Sequence, residues 1–146
     1  MKELVQKLRD LTGAGVMECK KALESSSGDI ESARLIIQKT GLHRADKKSQ
    51  REVKAGLLSS YIHNNRVGVL LELRCETDFV AKADTFKELA RALTMQIAAM
   101  NPVDIDALMA QPYIKDESRS VGDTVKEAIS RIGENIKVER FCRYEL

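Results

Sequence analysis

Few side chains in this sequence could do chemistry, and their spacing does not complete a site. Two histidines, His43 and His63, could act as general bases, but neither has a Ser or Cys in an arrangement that suggests a triad. Three cysteines, Cys19, Cys75 and Cys142, lie far apart, with no CxxC pair and no Cys/His cluster at zinc spacing. That pattern argues against a bound metal. Cys19 stands beside Lys20 and Lys21, whose charge could favour a thiolate. A small apolar residue on the inner face of a helix is the better account of it. The one glycine-rich piece, TGAG, lacks the Lys-Ser/Thr of a phosphate loop and does not follow a strand. Glu72 and Glu76 have no neighbour in sequence that marks them as an acid/base pair. No catalytic residue, metal or cofactor is expected, and an interaction module is the default reading.

The totals agree with that reading. A chain of 146 residues is about one domain, or a small module joined to a medium one. At 43% apolar it can bury a core, and with 4% aromatic residues and no Trp that core must be mainly aliphatic. The net charge of +2 is too weak to argue for nucleic acid. Its distribution is uneven: 12 Lys and Arg stand against 8 Asp and Glu through Ala55, and 12 against 14 beyond it. A basic front suits an acidic protein partner as well as it suits RNA. The odd cysteine count speaks against a secreted disulfide framework. The opening MKELVQKLRDL is already amphipathic, with no signal-type apolar region and no run of membrane-span length. A soluble, cytoplasmic protein without a membrane partner is the expectation.

The elements that must position any binding residue follow from periodicity. Leu4, Val5, Leu8 and Leu11 recur at helical spacing, and Gly13 is placed to stop that helix. Val16, Cys19 and Leu23 mark a second helix, broken by SSSGD. Asp29 is a natural N-cap for a third carrying Ile30, Ala33, Ile36 and Ile37, with Gly41 as its end. Residues 1–41 therefore read as a three-helix bundle of the smallest viable size. Residues 42–55 carry Arg44, Lys47, Lys48, Arg51 and Lys54 and read as a basic, solvated, helical linker. From residue 56 the period changes to two: GLLSSYI, a turn at His63–Arg66, then Val67, Val69, Leu71 and Leu73 on one face. A long helix follows with a stripe of Phe86, Leu89, Ala90, Leu93, Ile97 and Met100, closed by Asn101-Pro102. Pro102 to Ser120 reads as irregular or briefly helical. A helix with Val121, Val125, Ile129 and Ile132 ends at Gly133, and NIKVERFCRYEL reads as a strand able to pair with the hairpin. Residues 56–146 are thus α+β, an antiparallel three-stranded sheet packed with helices.

One stretch resists this description. In CETDFVAK (75–82), Thr77 can cap the long helix and Asp78 sits near its positive end. Phe79 precedes Phe86 by seven residues, so periodicity puts its ring on the core stripe, while Val80 projects about 100° further round, where no core needs it.

CETDFVAK resembles the signature of the elongation factor Ts family, and the likeness extends through the chain. LRDLTGAGVMECKKALESSSGDIESA is similar to the family's N-terminal module, a three-helix bundle of the ubiquitin-associated type. GVLLELRCETDFVAK, the helix through Met100-Asn101-Pro102, and IGENIKVERFCRYEL resemble its core. The family carries a longer segment where this chain has only VDIDALMAQPYIKDESRS, so a shortened form is implied. The resemblance implies a guanine-nucleotide exchange factor that makes and breaks no bond. Its partner would be elongation factor Tu, bound with GDP or nucleotide-free. Thr77, Asp78, Phe79 and Val80 would dislodge the magnesium ion, with Phe79 entering an apolar pocket of the GTPase rather than its own core. Val16, Met17 and Lys20 would be the contact face of the N-terminal module. A ribosome- or RNA-associated protein using Arg44 to Lys54 is the alternative class, although no direct nucleic-acid contact is expected.

The final strand adds one expectation. Strict alternation puts Cys142 on a face with Ile136, Val138 and Tyr144, and Phe141 on the opposite, outward face among Lys137, Glu139 and Arg143. An outward Phe141 beside Cys142 suggests a contact between two copies of the chain, a homodimer.

Overall fold

The computed structural model describes residues 1–146. The N-terminal stripes fold into α1 (Lys2–Thr12), α2 (Val16–Ser25) and α3 (Ile30–Lys48). Gly13 stops α1 in the left-handed conformation, φ 69°, with its N–H donating to the Arg9 carbonyl. Asp29 caps α3 by accepting from the Ser32 N–H at 2.9 Å. The bundle closes on a small core that includes Val5, Leu8, Cys19, Leu23, Ala33 and Ile37. Burial, before any other influence, raises the Cys19 thiol above its ordinary pKa, so this cysteine packs and is not activated by its lysines.

The second part begins with β1 (Ala55–His63) and β2 (Val67–Cys75), an antiparallel hairpin. Asn64 and Asn65 both take positive φ, 49° and 57°, the signature of a type I′ turn. There follow α4 (Asp78–Ala81), α5 (Asp84–Met100), α6 (Ile105–Ala110), β3 (Pro112–Tyr113), β4 (Asp116–Ser120), α7 (Val121–Ile132) and β5 (Ile136–Glu145). The main sheet has the order β1-β2-β5, with β2 antiparallel to both neighbours. Val69, Leu71, Leu73 and Cys75 point from its inner face onto Phe86, Leu89, Leu93 and Ile97 of α5 and Val125 and Ile129 of α7, in one core. Sheet below, helices above: the class is α+β. No helix is long and apolar enough to cross a membrane. The short β3–β4 hairpin, read from sequence as irregular, is tied to α5 by buried Gln96. That side chain donates to the Pro112 carbonyl at 3.0 Å and accepts from the Ile114 N–H at 2.9 Å.

Gly41 does not end α3, contrary to the sequence reading. It is buried, and a Cβ there would lie 3.2 Å from Ser130 Oγ on α7. Here the missing side chain lets two helices approach, against a helix-propensity cost of about 1 kcal/mol relative to Ala. The helix runs on to Lys48, and Ala45, inside the expected linker, is buried in the main core. Lys126 of α7 reaches Asp46 at 2.9 Å, and Arg131 of α7 donates to the Thr12 carbonyl at 2.9 Å. The bundle is thus held against α7 through α3 and the end of α1.

β5 also departs from the strict alternation of its sequence. Leu73 pairs with Val138 but Glu72 pairs with Arg140, so Glu139 is an extra residue in β5, a bulge. Beyond it the alternation inverts. Phe141, opposite Leu71, turns inward and packs on the main core, and Arg143 follows it, donating to the Ala98 carbonyl at 3.0 and 3.2 Å. Cys142 and Tyr144 face outward instead. The outward Phe141 expected from strict alternation is therefore overturned, and Cys142 does not share a face with Ile136 and Val138.

Candidate functional site

The TDFV stretch occupies its own single turn and not the start of the long helix. β2 ends at Cys75, whose thiol donates to the Thr77 carbonyl at 3.2 Å. Burial first, and the Glu134 carboxylate second, push that thiol above its ordinary pKa. Thr77 is the N-cap of α4, its hydroxyl oxygen accepting from the Val80 N–H at 3.4 Å. At Ala83 the backbone is extended, φ −71° and ψ 141°, so α5 starts afresh at Asp84. This break resets the helical phase between Phe79 and Phe86.

Its consequence is that the two placements expected from periodicity are exchanged. Val80 and Ala81 are the residues of the turn that enter the core, each 7% exposed. Phe79, about 100° away on the same turn, is driven outward and is 87% exposed. Asp78 is exposed beside it. The ring stands in solvent on a turn anchored by its own neighbours. An aromatic side chain so placed presents a large apolar surface with only two torsions to immobilise.

A second set of residues fixes the turn from across the fold. Glu134, just past the left-handed Gly133 that ends α7, accepts from the Glu76 N–H at 3.1 Å and the Thr77 N–H at 3.0 Å through one oxygen. Its other oxygen accepts from the Thr77 hydroxyl at 2.7 Å. Glu76 answers by accepting from the Asn135 N–H at 2.8 Å, and buried Asn135 donates to the Arg51 carbonyl at 2.7 Å. Sequence reasoning missed Glu134 and Asn135. They lie more than fifty residues from the turn they hold, and nothing local distinguishes them.

In the N-terminal bundle, Val16 and Met17 open α2 and are 49% and 62% exposed. Val16 and Lys20 line a shallow groove of ≈430 Å³ between α1 and α2, with Met1, Val5, Lys2 and Arg9 completing an apolar floor and a basic rim. The basic segment is less free than its composition suggests. Arg44 pairs with Glu18, Arg51 with Glu76 at 3.6 Å and Lys54 with Glu52 at 3.7 Å. No group of three His, Cys, Asp or Glu side chains is placed to hold a metal ion. Glu72, weighed as an acid/base candidate, is paired with Arg74 at 2.9 Å and Arg140 at 3.1 Å on the sheet's outer side. The Arg74 hydrogen bond foremost, with help from Arg140, holds its carboxyl below the usual range.

Fold and site together define a class: an α+β scaffold with a helical bundle fixed to one side and an exposed aromatic on a hydrogen-bonded turn. Residues 76–146 match the family model described as Elongation factor TS. The chain is 42% identical to Elongation factor Ts of Thermotoga neapolitana, over 99% of this chain and 95% of that protein. It is 40% identical to Elongation factor Ts of Thermotoga maritima and 39% identical to that of Coprothermobacter proteolyticus, covering 94% and 96% of those proteins. The alignment to the first runs over 188 positions against a chain of 146, so that relative carries a stretch that is absent here. This chain belongs to the elongation factor Ts family, and it is a translation elongation factor.

Proposed function

We propose that this chain is a guanine-nucleotide exchange factor for elongation factor Tu, and that the α4 turn is the element that acts on the nucleotide site. The observation that carries the proposal is Phe79, 87% exposed on a turn whose next two residues are buried. A ring held this way suits insertion into an apolar pocket, where a buried aromatic anchor contributes far more than its neighbours. Phe79 wedges, Asp78 approaches the position from which magnesium departs, Thr77 caps the turn, and Val80 anchors it from below. The α1–α2 face, with Val16, Met17 and Lys20, docks on the same GTPase. No covalent chemistry and no cofactor are involved, and a cytoplasmic place of action goes with this reading.

Exchange then follows from linkage. A factor that binds the nucleotide-free partner better than the GDP-bound one must, by reciprocity, be weakened by GDP in the same ratio. The ternary complex sheds magnesium and GDP, and abundant GTP displaces the factor. The test is a stopped-flow trace of fluorescent GDP leaving elongation factor Tu, with and without saturating amounts of this chain. Acceleration that grows with its concentration and saturates is the expected result, and an unchanged trace refutes the reading. An RNA-binding role for residues 44–54 has less support, because three of its basic side chains already pair with Glu18, Glu76 and Glu52.

A second copy of the chain is a further proposed partner, now on a different basis. Leu58, Ile62, Leu70 and Tyr144 are all exposed large hydrophobics on the outer side of the sheet, with Cys142 among them. Apolar side chains grouped in this way favour burial against a like surface. Light scattering under reducing conditions, comparing the parent with Leu70→Glu, decides it: a monomer in both removes the dimer.

A further inference from the structure

We propose that Glu134 is the positioning residue of the exchange site, and that through it the end of α7 sets the direction in which Phe79 points. The functional half of the proposal rests on the exchange reading above, while its structural half does not.

The geometry is a two-way clasp. Both Glu134 oxygens are engaged by one target, the Glu76–Thr77 segment that precedes Phe79, through three hydrogen bonds of 3.1, 3.0 and 2.7 Å. In return Glu76 receives the N–H of Asn135, the residue after Glu134, at 2.8 Å. Bonds from a carboxylate to two backbone N–H groups are charge-assisted and directional, so they hold the orientation of the chain as well as its position. The Thr77 hydroxyl takes part in both systems. It donates its proton to Glu134 at 2.7 Å, and its oxygen is the cap that accepts from Val80 at 3.4 Å. A one-turn helix has no second turn to steady it, and on its exposed side this clasp supplies what the buried Val80 and Ala81 supply below.

The clasp also reaches the N-terminal half. Asn135 donates to the Arg51 carbonyl at 2.7 Å, just past the end of α3, and Arg51 pairs with Glu76 at 3.6 Å. α7, whose end Glu134 follows by two residues, packs along α3 at Gly41 and is tied to α1 by Arg131 at the Thr12 carbonyl. A bundle seated on its own docking face therefore shares its supports with the turn that carries Phe79. The role is one of aim, since Glu134 itself bonds only the backbone and hydroxyl of residues 76 and 77.

A test independent of any GTPase is available, because the chain contains no Trp. Phe79→Trp installs a single indole reporter at the tip of the turn. Adding Glu134→Ala should increase the amplitude of fast depolarisation in its time-resolved fluorescence anisotropy. Glu134→Gln, which keeps an oxygen for the two N–H groups, should restore most of the rigidity. Equal anisotropy in all three proteins overturns the positioning role. In exchange assays with Phe79 intact, Glu134→Ala should lower the maximal rate of GDP release on the order of 10- to 100-fold, as misplacement of about an ångström does in other sites. In a Phe79→Ala background it should cause no further loss, since the two act as one unit. Losses that multiply in the double variant would mean that Glu134 supports the fold or touches the partner by itself, and would also overturn the proposal. Should Glu134→Ala fail to fold by circular dichroism, Thr77→Val against Thr77→Ser carries the same anisotropy comparison, because only Ser keeps the hydroxyl donor. Equal anisotropy in those two would likewise overturn it. If the turn loosens as expected while the parent chain does not accelerate GDP release, the exchange reading fails and the clasp stands.

Discussion

The α4 turn and the β5 bulge both interrupt a regular element beside a phenylalanine, and they send the two rings opposite ways. At α4 the interruption is a helix that ends at Ala81 and restarts at Asp84, which turns Phe79 into solvent. In β5 it is the extra Glu139, which turns Phe141 inward opposite Leu71. Each site also carries a carboxylate, Asp78 in the turn and Glu72 opposite the bulge. The difference lies in what holds each ring. Nothing packs over Phe79, whose turn is held by the buried Val80 and Ala81 and by hydrogen bonds to Glu76 and Thr77. Phe141 is held by contact with the core. Substitutions at the first site should therefore alter binding and leave stability alone, and substitutions at the second should do the reverse.

The largest effect is expected from Phe79→Ala. Loss of a hot-spot aromatic costs about 2–4 kcal/mol, so affinity for nucleotide-free elongation factor Tu should fall roughly 30- to 1,000-fold, with the thermal midpoint unchanged. Titration calorimetry and a melting curve read the two halves. A lower midpoint with normal affinity would reverse the contrast between the two rings.

Phe141→Ala comes next. The ring is half-buried, so its removal should destabilise the fold by about 1–3 kcal/mol, less than a fully buried Phe would. Denaturant unfolding measures this directly. GDP release, assayed well below the unfolding transition, should stay at the parent rate. A variant as stable as the parent would mean that the bulge does not turn this side chain into the core.

These two residues also mark the limit of what the sequence makes legible. Signals carried by a few adjacent residues hold in the fold: Asn64-Asn65 for a hairpin turn, Asp29 as a cap, Gly13 and Gly133 as helix stops, and the period-two stripe of β2. The three-stranded sheet followed from them. What failed depends on contacts distant in sequence. Gly41 has the composition of a helix stop, but Ser130 of α7 explains it as a packing site. Glu139 looks like any alternating strand residue until β2 decides the register. Ala83 carries no breaking residue type, so the phase between Phe79 and Phe86 was carried across a break. The outward ring follows from resemblance to a family and not from periodicity, which places it inside. Glu134 and Asn135 could not be found locally at all.

Asp78→Ala should be milder than either ring substitution. A carboxylate in the first turn of a helix contributes about 0.3–1 kcal/mol to that helix, and less here, since α4 is only four residues long. Any loss of exchange beyond a few-fold would then arise from contact with the partner. Kinetics identical to the parent would confine Asp78 to the turn and leave Phe79 to act alone.

The smallest effect is expected at the carboxylate beside the bulge, and it depends on pH. The Arg74 hydrogen bond first, with help from Arg140, holds the Glu72 carboxyl below the usual glutamate range. A folded-state pKa below the unfolded one contributes stability that is present above the unfolded value and lost as pH falls through the folded value. Glu72→Gln removes that contribution. At neutral pH the variant should melt slightly below the parent, by the small amount that a partly exposed ion pair provides. As pH falls below the ordinary glutamate range and on through the lowered folded value, the two melting curves should converge, because the parent carboxyl is then protonated in both states. GDP release should be the same in both proteins at every pH where both are folded. A gap in midpoint that stays constant down to strongly acid pH would mean that Glu72 holds the bulge by shape alone, with no contribution from its charge.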